Sequence, residues 1–330
     1  MAGYTPPFII TNKALRLVAT ISEKTEKVAG HGALDVRPRL RRNNRIRSIH
    51  ASLRIEANSL SLSEVRDVID GRAVIGNRIE IQEVKNAFRA YDQLQKIDPY
   101  NLQDLKRIHG VMTAGVIAES GSFRKGEEGV FSGDQCVFIA PPARNVPGLM
   151  AELFSWMKSN RAEIHSLILS AVFHYEFVFI HPFSDGNGRM ARLWHSALLA
   201  QWRPVYESIP LENQIEKFQD GYYEAIAASN RSGDSTGFVE FMLERIDQAL
   251  DEVLDQLRVA GAETSVYIGK LVNVMAYGVS YSAIELMTLL GLRSRETFRK
   301  HYLTPAMNQG LVAMTVPEKP KSRNQRYVRR

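Results

Sequence analysis

The chain has 330 residues, 45% hydrophobic and 24% charged, the proportions of a globular protein with material for one large domain or several small ones. A single cysteine, Cys136, excludes an internal disulfide framework and a cysteine-built zinc cluster; it reads as packing, and a reducing cytosol (cytoplasmic) is the expected setting. The net charge of +6 is uneven: residues 293–330 hold ten Lys/Arg against Glu296 and Glu318, a local +8 that suggests a tail facing a polyanion.

The N-terminus, Met1-Ala-Gly-Tyr-Thr-Pro-Pro7, lacks the basic start and apolar run of a signal peptide. Residues 7–11 read as an extended piece, followed by an amphipathic helix with Leu15, Val18, Ile21 and Val28 at apolar positions. Six arginines crowd residues 37–47 around Pro38; they read as a solvated helix start, with contact to an anionic partner as the alternative. A helix over about 46–60 carries Ile49, Leu53 and Ile55 among its apolar positions, and places Ser52 and Glu56 one turn apart on a shared face. Taken alone, that pair belongs to an ordinary surface. Helices are predicted next over 62–68, 79–94 and 102–117. The last surrounds His109 with Leu105, Ile108, Val111 and Met112, as for a packed core histidine. From Gly121-Ser-Phe-Arg124 to Pro142, glycines, alternation and the apolar run Val137-Phe138-Ile139 predict a β-hairpin. An amphipathic helix over 146–158 follows, with Trp156 in the core.

Residues 164–180 predict an apolar helix that Pro182 ends, and its His174 and Glu176 argue against a membrane span. The next residues, His181-Pro-Phe-Ser-Asp185-Gly-Asn-Gly188-Arg189-Met-Ala-Arg192, concentrate the readable chemistry. Asp185-Gly186-Asn187-Gly188 is a tight turn before a helix over 189–201. Its glycines let backbone N–H groups approach a ligand at a positive helix end, a nest suited to polyphosphate. Asp185 offers a hard oxygen for Mg²⁺. Arg189 and Arg192 share a helix face from which both can pair with outer phosphates. His181 is the only neutral-pH base in the cluster.

Beyond the motif, residues 215–228 and 238–257 predict helices, with Tyr222-Tyr223 read as packing. From about residue 263 a separate module is expected, with helices over 265–277, 281–290 and 295–309 and strands over 310–316 and 325–329. Three helices and a hairpin make a winged helix, whose third helix commonly enters the DNA major groove. Arg293, Arg295, Arg299, Lys300, Lys319, Lys321 and Arg323 are then candidate phosphate contacts, and protein docking or dimer stabilisation is the alternative.

With every specified position filled, residues 181–192 resemble the Fic-domain signature HxFx(D/E)GNGRxxR. The resemblance implies a mainly α fold: a Fic-type helical core with a β-hairpin flap, and a C-terminal winged helix. The expected regions are 1–100 (N-terminal helices), 101–260 (catalytic core) and 263–330. It implies a protein adenylyltransferase that moves AMP from ATP to a hydroxyl (Ser, Thr or Tyr) of a target protein and of itself. His181 would then be the base, Asp185 the Mg²⁺ ligand, and Gly186, Asn187 and Gly188 the cradle of the α/β phosphates. Arg189 would support the phosphates and Arg192 would bind the γ-phosphate. Glycine at 188 fits AMP transfer, since relatives that phosphorylate tend to carry lysine there. Ser52-Leu-Arg-Ile-Glu56-Ala-Asn58 resembles the family's inhibitory (S/T)xxxE(G/N) helix, in which Glu56 would pair with Arg192 and obstruct γ-phosphate seating. The departure is Ala57, where Gly or Asn is usual. The flap implies target docking by strand addition over Val130, Val137, Phe138 and Ile139, with Arg124 structural or near the nucleotide. Tyr222 and Tyr223 would be nucleotide contacts, and a homodimer is an expected assembly. The other functions left open are removal of AMP, and a DNA-binding regulator with the Fic core as sensor.

Overall fold

The structure, a computed structural model, describes residues 4–30, 38–132, 135–276, 278–320, 322 and 325–330. Helices dominate it. In chain order they are α1 (Asn12–Gly30), α2 (Pro38–Ile55), α3 (Leu62–Ile69), α4 (Arg78–Tyr91) and α5 (Leu102–Met112). A hairpin of β1 (Gly129–Ser132) and β2 (Gln135–Ile139) precedes α6 (Val146–Asn160), α7 (Ser166–Ile180) and α8 (Asn187–Trp202). Then come α9 (Leu211–Lys217), α10 (Gln219–Ser232) and α11 (Thr236–Val274). Packing divides the chain into two compact units, Met1–Val253 and Leu254–Arg330. No helix among the described residues is long and apolar enough to cross a membrane.

The first unit is built around α7. Every residue from Leu167 to Phe177 on it is buried, as expected of a helix that is apolar all round and enclosed by neighbours. Phe173, Phe177 and Phe183 pack here with Trp194 of α8, each shielded from solvent. At about 1.5–3 kcal/mol for each large side chain removed from water, this cluster fixes the relative positions of the two helices that flank the His181–Arg192 motif. Among the polar side chains buried on α7, Ser170, Glu176 and one nitrogen of His174 have partners. Glu176 accepts a 2.9 Å hydrogen bond from the Tyr4 hydroxyl, which fastens the N-terminal segment to the core. The same segment is held through the Pro7 carbonyl, which accepts from the Ser235 N–H at 2.9 Å and from its hydroxyl at 3.1 Å.

Helix α2 stops earlier than its pattern predicts. The Asn58 N–H bonds back to the Leu53 carbonyl and the Ala57 N–H to the Arg54 carbonyl, a Schellman termination. Ala57 takes the left-handed position with φ 64°. Glu56 is therefore the helix cap and not a mid-helix residue. The value of Gly or Asn at position 57 is thus tolerance of positive φ, and the helix propensity of alanine is irrelevant there. Another departure is at α11, which runs unbroken through the boundary expected near residue 263, because no proline interrupts residues 257–265.

The second unit contains the end of α11, then β3 (Ser280–Tyr281), α12 (Ala283–Leu289) and α13 (Arg295–Thr297). A π-helical stretch Phe298–Leu303 leads into α14 (Thr304–Asn308), followed by β4 (Val312–Met314) and β5 (Tyr327–Arg329). The strands form an antiparallel sheet in the order β3-β5-β4, so the expected two-stranded hairpin gains a short third strand. Leu271, Leu286, Phe298, Leu303 and Ala306 form its core.

Two measurements test these local arguments. Replacing Ala57 by Gly relieves the left-handed strain and is expected to stabilise the protein by about 1 kcal/mol, read by denaturant unfolding. Burial pushes the Glu176 carboxyl up to about 7 from 4.5, against the Tyr4 hydrogen bond, which lowers it. Between those values the folded state keeps a proton that the unfolded chain has lost, so this group's contribution to stability falls as pH rises. His109 and His195, each lowered to about 4 by burial, act in the opposite sense below the ordinary histidine value. The Glu176 contribution is isolated by comparing wild type with Glu176→Gln: the variant should gain about 2–3 kcal/mol in relative stability between pH 5 and pH 8.

Candidate functional site

The motif loop joins the C-terminus of α7 to the N-terminus of α8. His181 ends α7 with a left-handed backbone (φ 52°, ψ 60°), its N–H still bonded to the Phe177 carbonyl at 3.0 Å. Its Nδ1 lies 3.3 Å from the Val178 carbonyl, an acceptor only, which assigns the proton to Nδ1 and leaves Nε2 as a free lone pair. Burial, opposed by that hydrogen bond and by Glu128, holds the imidazole below its ordinary pKa. It is therefore neutral and basic at pH 7.

The loop is rigid because its own side chains close it. The Asn187 amide spans the turn, accepting from the Phe183 N–H at 2.9 Å and donating to the Phe183 carbonyl at 2.7 Å. His109 supports it from α5: Nδ1 accepts from the Gly121 N–H and Nε2 donates to the Asp185 carbonyl, both at 2.9 Å. Its ring stacks on Phe183 with centroids 3.6 Å apart. The expected core histidine is thus also the prop of the loop. Gly186 caps α8 at φ 81°, where a side chain would be strained and would press on Thr113. The N–H groups of Asn187, Gly188 and Arg189 have no acceptor among the described residues, so three donors remain at the positive end of α8.

The two motif arginines meet different partners. Arg189, 3% exposed, donates to Glu83 Oε1 at 2.7 Å and to Asp185 Oδ2 at 2.8 Å. Glu83 also accepts from Asn58 at 2.9 Å, joining the end of α2 to this ion-pair chain. Arg192 reaches α2 directly. Its NH2 group donates to Glu56 Oε1 at 2.7 Å and to the Ser52 carbonyl at 2.9 Å, and its Nε to the Ser52 hydroxyl at 3.1 Å. The Arg192 side chain is 1% exposed and that of Glu56 is 36% exposed. Burial opposes the arginine's charge, but Glu56 and neighbouring tyrosine oxygens outweigh it and keep the pKa above its ordinary value. Gly188 adjoins the pair so closely that an added Cβ would collide with Glu56 Oε1.

Asp185 has one oxygen on Arg189 and the other on the Gly186 N–H, with the side chain 45% exposed. No cluster of three metal-ligating side chains exists among the described residues. A half-open carboxylate beside free backbone donors suits Mg²⁺, which commonly takes one protein carboxylate together with phosphate oxygens and water.

Tyr222 and Tyr223 separate. Tyr222 is buried, with its hydroxyl 2.9 Å from His174 Nε2, whereas Tyr223 is 47% exposed. The hairpin pairs Gly129 with Ile139 and Val130 with Phe138; the next pair, Phe131 with Cys136, leaves Val137 as an extra residue in a bulge. Ile139 is 76% exposed and the Phe138 ring lies 5.4 Å from that of Phe179. The side chains of Val130 and Val137 lie outside the described set. Among the described residues each strand has one ladder partner, so the outer edges are open to an added strand. Arg124, 3% exposed, fastens both feet of the hairpin to the motif: it donates to the carbonyls of Gly126 (2.9 Å), Pro141 (2.5 Å), His181 (2.7 Å) and Ile180 (3.4 Å). Sequence reasoning missed Glu83 entirely; no local spacing links it to the motif.

The sequence pattern of the Fic/DOC family matches residues 99–199, and that of the C-terminal domain of Fic-like (filamentation induced by cAMP) proteins matches residues 267–328. Curated relatives bear the name protein adenylyltransferase Fic. That of Aedes aegypti is 32% identical over 215 residues, covering 62% of this chain and 41% of the relative. That of Nematostella vectensis is 31% identical over 232 residues, covering 66% and 49%. The chain thus spans less than half the length of these relatives. Fic-1 from C. elegans shares the fold at 21% identity, with a TM-score of 0.59 over 75% of this chain and 76% of that one. The crystal structure of a Fic family protein from Desulfovibrio desulfuricans G20 is 41% identical, with a TM-score of 0.74 over 99% of this chain and 98% of that one. With that identity sustained over both full lengths, and the signature folded into one loop, this chain belongs to the Fic family.

Proposed function

We propose that the protein is an adenylyltransferase that moves AMP from ATP to a hydroxyl side chain of a target protein, held in check by Glu56. The observation that carries this reading is the 2.7 Å ion pair between Glu56 and the otherwise buried Arg192, beside the unpartnered N–H groups at the start of α8. Relatives named protein adenylyltransferase support the activity.

In this reading, His181 Nε2 takes the proton of the target hydroxyl. The oxygen bonds to the α-phosphorus, the bond from that phosphorus to the β-phosphate bridging oxygen breaks, and pyrophosphate leaves. The free N–H groups at the start of α8 hold the phosphates and stabilise charge that develops during transfer. Asp185 would hold Mg²⁺, whose chemistry is neutralisation of phosphate charge. The target segment would add to the exposed edge of the hairpin by main-chain bonds, bringing its hydroxyl toward His181. Arg192 would bind the γ-phosphate once Glu56 leaves. While Glu56 occupies that guanidinium, its carboxylate both removes the partner and repels the phosphate.

Incubation with Mg²⁺ and ATP followed by intact-mass measurement tests this. Glu56→Gly should gain one or more AMP units faster than wild type, by about tenfold or more, as expected when a charged contact is removed. His181→Ala in that background should gain none. No increase on Glu56→Gly would remove the inhibitory role, and transfer by His181→Ala would exclude it as the essential base.

A second reading concerns the C-terminal unit. Arg293, Arg295, Arg299, Lys300 and Lys319 are exposed and form no ion pair among the described residues; Lys321 and Arg323 lie outside them. Five free cations on a helical unit with a small sheet support nucleic-acid binding by a winged helix. The expected signature is a gel shift of duplex DNA that weakens steeply between 50 and 200 mM salt, by about 10³-fold or more for six phosphate contacts. No shift at low salt would favour protein docking.

A further inference from the structure

The arginines crowded into the start of α2 take no part in the transfer chemistry, yet the fold gives several of them a common setting. Arg41, Arg42 and Arg45 line a cavity of about 260 Å³, together with Phe88 and Asp92 of the α4 end and Ser208. A second cavity, of about 470 Å³, shares Asp92 as a wall and is lined by Arg89 and Gln93 on one side and Arg107 of α5 on the other. Among the described residues, the two walls hold five arginines and a single carboxylate.

The carboxylates nearby do not close this site. Arg45 donates to Asp92 Oδ1 at 3.0 Å, but the Asp92 side chain is 65% exposed and can swing aside. Asp70 and Asp104 hold Arg42 and Arg107 without lining either cavity. Arg89 is exposed and has no ion pair among the described residues. Arg41 and Arg45 stand one turn apart on α2, a like-charge spacing that a bound anion would relieve. No guanidinium can shed its proton to escape that repulsion, and each presents a planar fork matched to phosphate oxygens. The buried Ile46 and half-buried Phe88 supply an apolar wall, against which such a field is screened less than on an open surface. The concave shape suits a small molecule, and the larger cavity has the size of an ordinary ligand site.

We propose that these adjoining cavities form an anion site, separate from the motif loop, that takes an oligophosphate: either a free phosphate chain or the phosphate tail of a nucleotide. None of its lining residues belongs to residues 181–192. The site touches helices that lead to the motif, since α2 ends beside Glu56 and Arg107 precedes His109 by two residues on α5. Its existence does not depend on the transfer reaction.

The test is calorimetric titration of tripolyphosphate into the full wild-type chain at low salt, in which Glu56 occupies Arg192. Arg45→Glu combined with Arg89→Glu should weaken binding by about tenfold or more, because two charge-assisted contacts become repulsive. Arg89→Gln breaks no ion pair among the described residues; it should weaken binding about threefold with an unchanged melting temperature, which keeps the test decisive if the double variant does not fold. The same titration with ATP separates the two sources. A loss in the Arg45/Arg89 variant for ATP as well assigns the site to a nucleotide tail, and a loss for tripolyphosphate alone assigns it to a free chain. Binding that survives both variants, or that disappears only with Arg192→Ala, would place the anion at the motif loop and overturn the proposal. So would absence of binding by either anion at low salt, or a duplex-DNA gel shift lost in the Arg45/Arg89 variant without tripolyphosphate binding.

Discussion

A guanidinium withdrawn from water has to be surrounded by oxygen, and much of the arrangement around the motif loop follows from that requirement at Arg192. Its side chain is 1% exposed, yet arginine does not shed its proton to escape burial. The Ser52 hydroxyl and carbonyl and the Glu56 carboxylate supply the acceptors. Of these, only Glu56 reaches substantially into solvent. The guanidinium is therefore held by buried Ser52 oxygens and by one partly exposed carboxylate.

The rest of the site is held by neutral hydrogen bonds that leave the reacting positions free. Asn187 closes the loop on Phe183, and His109 supports it from below. Both act through backbone groups and leave the N–H groups of Asn187, Gly188 and Arg189 open. A second chain of charges, Asp185–Arg189–Glu83, ends on Asn58 at the termination of α2. The segment carrying Glu56 is thus tied to the loop from both motif arginines, through contacts of opposite character: a direct ion pair at Arg192 and a relayed one at Arg189.

How much of this could be read from sequence depended on how far apart the interacting residues are. The apolar run of α7, the break at Pro182 and the glycine turn are local, and they appear in the structure close to their expected limits. The motif resemblance supplied the Glu56–Arg192 pairing over a separation that periodicity could not bridge. Position 57 shows the difference between pattern and cause. Sequence reasoning treated Ala57 as a helix residue, whereas the Schellman bonds make it a left-handed cap. Glu83, on α4, carried no local signal, because its role exists only where α4 meets α8. The tandem tyrosines looked equivalent in sequence, yet burial divides them: one ring faces the protein interior and the other faces solvent.

Arg124 gives the hairpin an unusual mechanical setting. One buried side chain grips the backbone on both sides of the β-strands and the last turn of α7 as well, using carbonyl groups that every amino acid possesses. The anchor therefore does not depend on which side chains occupy the strands. Replacing side chains along β1 and β2 would leave these four backbone bonds available. The hairpin and the motif loop are in this sense joined by a clamp indifferent to the identity of what it holds.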